Sequence, residues 1–270
     1  MAAGARRFGI GLAVAAWLAA LPAAAAEPPP APPQARVGSR LITAHTPHTL
    51  GARVLQATVD FRMSETVEDG SERDLWGIDS GADVGLGLAV GVASRLDLEL
   101  YRSSFHETYE PALKLALWRP RDRPLTAALR AGADLVRRPG VADRDRPFGQ
   151  LLLGLRLARG VHLFLAPACV RHTPRLRDAC NVPLGFTLPF AGGALIKVEG
   201  LPANRDLEES QAQWQVALSK ATPSHVLELV LANSRATTMD QYLGGDFAGG
   251  FARDDVRVGV HVVTLFDSSR

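Results

Sequence analysis

Between Ala82 and Ser104 the chain reads ADVGLGLAVGVASRLDLELYRSS, an alternation sustained over more than twenty residues. Val84, Leu86, Leu88, Val90 and Val92 share one parity, and Asp83, Gly85, Gly87, Ala89 and Gly91 the other. After Ala93-Ser94 the pattern resumes, with Leu96, Leu98 and Leu100 against Arg95, Asp97, Glu99 and Tyr101. A strand turns successive side chains to opposite faces, so this stretch predicts two strands, each with one apolar and one polar or small face.

The same alternation returns along the whole chain. Leu55, Ala57, Val59 and Phe61 open it, followed by Leu113, Leu115 and Leu117, then residues 125–136, 149–158, 161–171, 182–190, 194–199, 211–219, 225–233 and 255–266. With the opening pair this predicts twelve strands, within a range of ten to fourteen. Their connections alternate in length: long at 63–81, 137–147, 172–181, 200–210 and 234–253, moderate at 104–109, short at 93–94, 119–124, 159–160, 191–193 and 220–224. Bacterial outer-membrane barrels have short periplasmic turns and longer external loops, and about ten residues suffice for a tilted strand to cross the bilayer. The expected fold is therefore all-β, an antiparallel up-and-down transmembrane β-barrel with its apolar face against lipid. A secreted soluble sandwich or barrel would put that face in a core, but it would not need one end to carry the long connections. The apolar face is also uniform in size, Leu, Val and Ala, which suits lipid better than interlocking core packing. The aromatic belt is sparse (Trp76, Trp118, Trp214, Tyr101, Tyr109, Tyr242), and Phe266 is followed by DSSR.

Composition narrows the function classes. A net charge of +2 over 270 residues gives no reason to expect a nucleic-acid partner. After residue 26 there is no apolar run of the roughly 18 residues a membrane helix needs, and a barrel hides its hydrophobicity in alternation. Residues 1–26 have the form of a cleaved export signal: Arg6-Arg7, an apolar stretch Phe8–Leu21, then Ala23–Ala26 before Glu27. EPPPAPPQAR (27–36) is a spacer with no core-forming residues, so 27–45 are expected to be a Pro-rich periplasmic arm and 46–270 the barrel. The expected location is the outer membrane of a Gram-negative-type bacterium, the alternative being periplasmic or secreted.

On the face opposite the apolar one the charges are mixed. The lumen-facing charged candidates are Asp83, Asp97, Glu99, Lys114, Arg130, Asp134, Arg156, Lys197, Glu199 and Arg257. Opposite charges on neighbouring strands, such as Asp97 or Glu99 with Lys114, are placed to neutralise each other. Such a network fills a small barrel or lines a wider pore, and twelve strands leave both open. Cys169 and Cys180 are expected to form a disulfide in an exported protein, closing a loop of about a dozen residues and contributing about 2–3 kcal/mol.

The residues give little reason to expect an enzyme. His162, His172, His225 and His261 lie in no nucleophile motif, and there is no G-x-S-x-G. His106-Glu107…Glu110 lacks the second His of a zinc motif. His45 and His48 are separated by Pro47 with no carboxylate close in sequence, and the acidic loop 64–80 matches no calcium-binding spacing. No catalytic residue, metal or cofactor is expected. Loop 137–146, RRPGVADRDR, is a candidate for contact with anionic lipopolysaccharide.

Residues 46–63 and 75–117 resemble a family of bacterial membrane-bound β-barrel proteins of unknown function. The segments that carry the resemblance are Thr46-Pro47-His48-Thr49-Leu50, Gly77-Ile78-Asp79-Ser80-Gly81-Ala82, and Arg102-Ser103-Ser104…Thr108-Tyr109-Glu110…Lys114-Leu115. The resemblance covers the N-terminal half by motif and the rest by pattern. It implies the barrel and an envelope location, and no reaction. The expectations that follow are a porin-like conduit for small polar solutes or ions, or a closed structural or partner-binding barrel, with an outer-membrane hydrolase a distant third. The expected partners are outer-membrane lipid, the barrel-insertion machinery, and a periplasmic protein that would contact the Pro-rich arm.

Overall fold

A strand that is apolar on one face and charged on the other can withdraw its charges from lipid only if the sheet curls back on itself. The computed structural model, which describes residues 38–71, 75, 78–79, 81–119, 123–137, 145–173, 177–204, 211–244 and 255–267, shows that closure. The segments are β1 (Val54–Met63), β2 (Ala82–Ala93), β3 (Leu96–Ser103), β4 (Thr108–Trp118), β5 (Leu125–Val136), β6 (Arg146–Arg156) and β7 (His162–Leu165). Then follow β8 (Ala168–Val170), β9 (Ala179–Asn181), β10 (Leu184–Pro189), β11 (Ala194–Leu201), β12 (Gln213–Ala221), β13 (His225–Ala232) and β14 (Arg257–Asp267), with one short helix α1 (Met239–Gly244) before the last. Every pairing is antiparallel, and β1 closes on β14 in a register running from Val54↔Asp267 to Arg62↔Gly259.

The fourteen segments make twelve strands, as the alternation predicted. β7 and β8 both pair with β6, and β10 and β9 continue the wall beside them. Each broken strand is interrupted at a proline, Pro167 or Pro183, which has no N–H to give the ladder. The wall stays joined there because Leu151 donates to the Pro167 carbonyl and Ala166 to that of Pro183, both at 2.9 Å. The expected long connection 172–181 is consequently shorter, since 179–181 are strand. The connection expected at 104–109 also shrinks, to 104–107, because Thr108 and Tyr109 pair with both β3 and β5. That connection is no longer than the turn at 119–124, so the length alternation is a trend with one exception. Residues 1–37, and with them the export signal and the spacer, lie outside the described residues.

Burial is inverted relative to a water-soluble protein. Leu88 is 55% exposed and Leu113 50%, whereas Lys114 and Asp97 are 0% exposed and Arg130 1%. No soluble fold leaves alternate leucines bare while burying a lysine completely, so the apolar face is the outer wall of a membrane barrel. The glycines of β2 serve the inner face. A Cβ on Gly85 would fall 1.7 Å from the Tyr101 hydroxyl, so the glycine is what lets that ring lie flat against β2.

Candidate functional site: the occupied lumen

The lumen is filled by two segments of the same chain, one entering from each end. From the end with the short turns comes a finger, residues 38–50. It folds as a tight hairpin: Arg40 and His45 form a bridge, Leu41 donates to the Ala44 carbonyl at 2.7 Å, and Thr46 donates to Ser39 at 3.0 Å. Its stalk is the T-P-H-T-L motif. Thr46 Oγ1 donates to the Gly38 carbonyl at 2.8 Å, and the Leu50 N–H donates to both carboxylate oxygens of Asp97 at 3.2 and 3.0 Å. The motif thus closes the base of the hairpin and pins its stalk to β3. Residues 38–45, expected to be part of a periplasmic arm, therefore lie inside the barrel, all but Gly38 of them buried.

The finger is held mainly through its backbone. The N–H groups of Ile42, Thr43 and Ala44 all donate to Glu199 Oε2, each at 3.0 Å. Lys197 Nζ donates to the carbonyls of Leu41 (3.0 Å) and Arg40 (3.5 Å), and Lys114 Nζ to those of Ser39 (3.1 Å) and His48 (3.5 Å). Lysine occurs at only three positions in the chain, and these two both project inward onto the finger; the third, Lys220, lies at the barrel end with the short turns. Apolar contact comes from Leu41 against Phe164, Ile42 among Ala217, Val230 and Ala232, and Ala44 in the cluster that holds Ala112, Ala236 and Met239.

Two histidines of the finger are buried with no hydrogen-bond partner on either ring nitrogen. His45 Nδ1 lies 3.5 Å from Glu99, and His48 stands edge-on to His162 and Phe164. Burial, with the Arg130 guanidinium next in effect, holds His45 well below the usual imidazole range. Burial and the neighbouring His162 hold His48 down to about 3. Both are neutral at pH 7, and among the described residues no group of three or more ligand-type side chains is placed to hold a metal.

From the other end, residues 233–244 fold inward with α1. The Met239 N–H donates to Glu110 (2.8 Å) and the Asp240 N–H to Asp134 (2.8 Å), while Arg146 pairs with the Asp240 carboxylate. Gln213 Nε2 donates to the Tyr242 carbonyl at 2.8 Å, and Gln241 Nε2 to that of Phe105 at 3.0 Å. An apolar contact joins Met239, Tyr242 and Leu243 to Phe148, Val170 and Leu201. The two inserted segments touch: Arg40 donates to the Thr237 carbonyl at 3.0 Å, and Thr43 Oγ1 to that of Ala236 at 3.3 Å.

Most of the charged residues expected to face the lumen carry this arrangement. Lys114 pairs with Glu99 at 2.9 Å, the cross-strand neutralisation the sequence suggested, and Arg130 joins Glu99 (2.7 Å) to Glu110. Lys197 also pairs with Glu228 (2.6 Å), which accepts from Ser219 at 2.9 Å and contacts His261 at 2.9 Å. Asp83 and Arg257 lie half-buried at the end with the long connections, near Arg235 (3.7 Å) and Asp255 (3.1 Å). Arg156 shares the inward parity but is exposed at the short-turn end of β6. Arg146 and Asp240 were not expected at the site. Arg146 lies where the sequence suggested a loop, and its parity with Phe148 and Gln150 was the available signal. Cys169 and Cys180 face each other across β8 and β9 with Cα atoms 4.0 Å apart and are disulfide-bonded. Trp76, Glu72 and Asp74 of the acidic loop, and residues 138–144 of the basic one, lie outside the described residues.

Several of the segments quoted for the family resemblance coincide with these contacts. Besides the stalk, Ser103 accepts from Thr237 (3.0 Å), Ser104 from the Val84 N–H (2.7 Å), and Glu110 and Lys114 hold one inserted segment each. No curated protein matches the chain. Among solved structures, an outer membrane channel of the COG4313 group from Pseudomonas putida F1 is similar in fold, with TM-score 0.54 and 12% identity, covering 81% of this chain and 97% of that one. The outer membrane phospholipase A of Escherichia coli is a looser likeness, with TM-score 0.45 and 14% identity over 87% of this chain and 98% of that one. The family model described as membrane bound beta barrel domain (DUF5777) matches residues 37–266, so the span it covers begins with the finger and ends in β14. The chain belongs to that family of membrane-bound β-barrels.

Proposed function

We propose that this protein is a gated channel of the bacterial outer membrane, passing small polar solutes, with the finger as the gate. The observation that carries the reading is how the finger is held. Asp97, Lys114, Lys197 and Glu199 bind its backbone by hydrogen bonds, and water can replace each of those when the finger leaves. A segment that only filled space would be held by apolar packing over most of its length. The vacated wall would be hydrated and of mixed charge, as a conduit for polar solutes needs.

In this orientation the short turns and the finger's stalk face the periplasm and the long connections face outward. Lipid is the partner of the exposed leucine face, the barrel-insertion machinery places the chain in the membrane, and residues preceding Gly38 offer a periplasmic protein a handle on the finger. The reading is non-enzymatic. Ser219 and His261 both turn to Glu228, which supports a structural use of that cluster over a nucleophile–base pair. A closed, partner-binding barrel is the second reading, favoured by the contact between the two inserted segments. Planar-bilayer recordings of the purified full chain separate them: discrete single-channel steps are expected, and a silent membrane across a broad voltage range would favour the closed barrel.

A further inference from the structure

Lys197 and Glu199 stand two residues apart on the inner face of β11 and between them take up one main-chain group from each of five successive residues of the finger. Lys197 takes the carbonyls of Arg40 and Leu41, and Glu199 the N–H groups of Ile42, Thr43 and Ala44. Lys114 and Asp97 extend the pattern to the stalk, again through carbonyls and an N–H. This is recognition of a polypeptide backbone in a turn. Two carbonyls followed by three amides, in that order and pitch, are what a peptide offers and what a carbohydrate or an inorganic ion does not. An inorganic anion would meet the Glu199 and Glu99 carboxylates, and a metal cation the Lys197 and Lys114 ammoniums. The side chains at the turn set a size limit, since Ile42 is enclosed by Ala217 and Val230.

We propose that the finger occupies the barrel as a stand-in for its solute, and that the channel binds and passes short peptides with small, uncharged residues at the turn. This inference rests on the channel reading and narrows its solute. It also accounts for the placement of two charged wall residues, Lys197 and Glu199, against main-chain groups of the finger while the Ile42 side chain meets only Ala217, Val230 and Ala232 in its apolar cluster.

The test uses the full chain and a variant lacking residues 38–45, each checked for folding by heat-modifiable migration on gels. The probe is the blocked hexapeptide Arg-Leu-Ile-Thr-Ala-His, added during planar-bilayer recording. Current through the shortened variant is expected to be blocked at millimolar peptide. A peptide N-methylated at its Ile, Thr and Ala should not block, and Glu199→Gln should raise the half-blocking concentration about tenfold or more, as expected when a charged acceptor becomes neutral. Equal block by the N-methylated peptide or by maltotriose would overturn backbone recognition, as would an open channel that no peptide blocks; the channel reading would survive either result. No current in any variant would remove the channel reading and this inference with it. Hydrogen exchange on the unshortened protein is the independent arm. Millimolar hexapeptide is expected to speed exchange at the Ile42, Thr43 and Ala44 amides, and unchanged exchange there would contradict competition for the cradle.

Discussion

Arg40, on the finger, donates to the main-chain carbonyl of Thr237, on the segment inserted from the opposite end, at 3.0 Å. The same guanidinium lies over the Tyr101 ring, 4.4 Å from its centroid. The two fillings of the barrel are therefore joined through Arg40, and disturbing one should loosen the other.

Replacing Arg40 by Ala removes a buried hydrogen bond from a charged donor, worth about 1.5–3 kcal/mol. Amides of residues 239–242 should then exchange with solvent about ten- to a hundredfold faster, although none of them is altered. Unchanged exchange would mean that the two segments dock independently.

Lys114 and Lys220 make a paired comparison. Lys114 is fully buried between Glu99 and two finger carbonyls, and Lys114→Met should cost about 3 kcal/mol or more because it strips a partner from a buried carboxylate. Lys220 reaches the Gly192 carbonyl at an exposed site, and Lys220→Met should change stability by under about 0.5 kcal/mol. The temperature at which the folded gel band converts to the unfolded one reports both.

Acid should loosen the finger. His48 is held down to about 3 while docked and returns to the free value of 6.5 when released, so the released finger binds more protons anywhere between those values. Docking is therefore at full strength above about pH 6.5 and weakens as pH falls, by about 1.4 kcal/mol per unit for each histidine so buried. His45, also held low, acts in the same direction. Channel open time should rise between pH 7.5 and pH 5, and His48→Leu should flatten that rise. A gate that tightens on acidification would contradict the assignment.

At Gly85, a larger residue has nowhere to go. Gly85→Val should push Tyr101 away from Asp60, to which it donates at 3.3 Å, and lower stability by about 1–3 kcal/mol, the usual range for overpacking. Gly149, whose added Cβ would meet nothing within 4 Å, is the control: Gly149→Ala should be nearly neutral by the same gel assay.

The barrel was legible in the sequence because lipid and lumen impose opposite demands at a period of two, which no short insertion hides. The pairing of Glu99 with Lys114 was legible for the same reason, since residues of one parity on adjacent strands must meet. The finger was not. VGSRLITAHTPHTLG shows no strand-length alternation, and a segment bound through its amides and carbonyls carries no side-chain signature of what binds it. The signal lay on the wall instead, in two of only three lysines projecting inward, and nothing in one strand's sequence says that a charge there is meant for a backbone. The broken strands were half legible: Pro167 and Pro183 were visible, but that their neighbours would bridge the gap depends on pairings formed only in the closed sheet.

In the proposed gate, the finger closes a channel that is otherwise open. Single-channel recordings of the full chain beside the variant lacking residues 38–45 test it most directly. Brief, infrequent openings are expected in the full chain and long-lived steps in the shortened one. Indistinguishable traces, or a folded shortened barrel that never conducts, would contradict it.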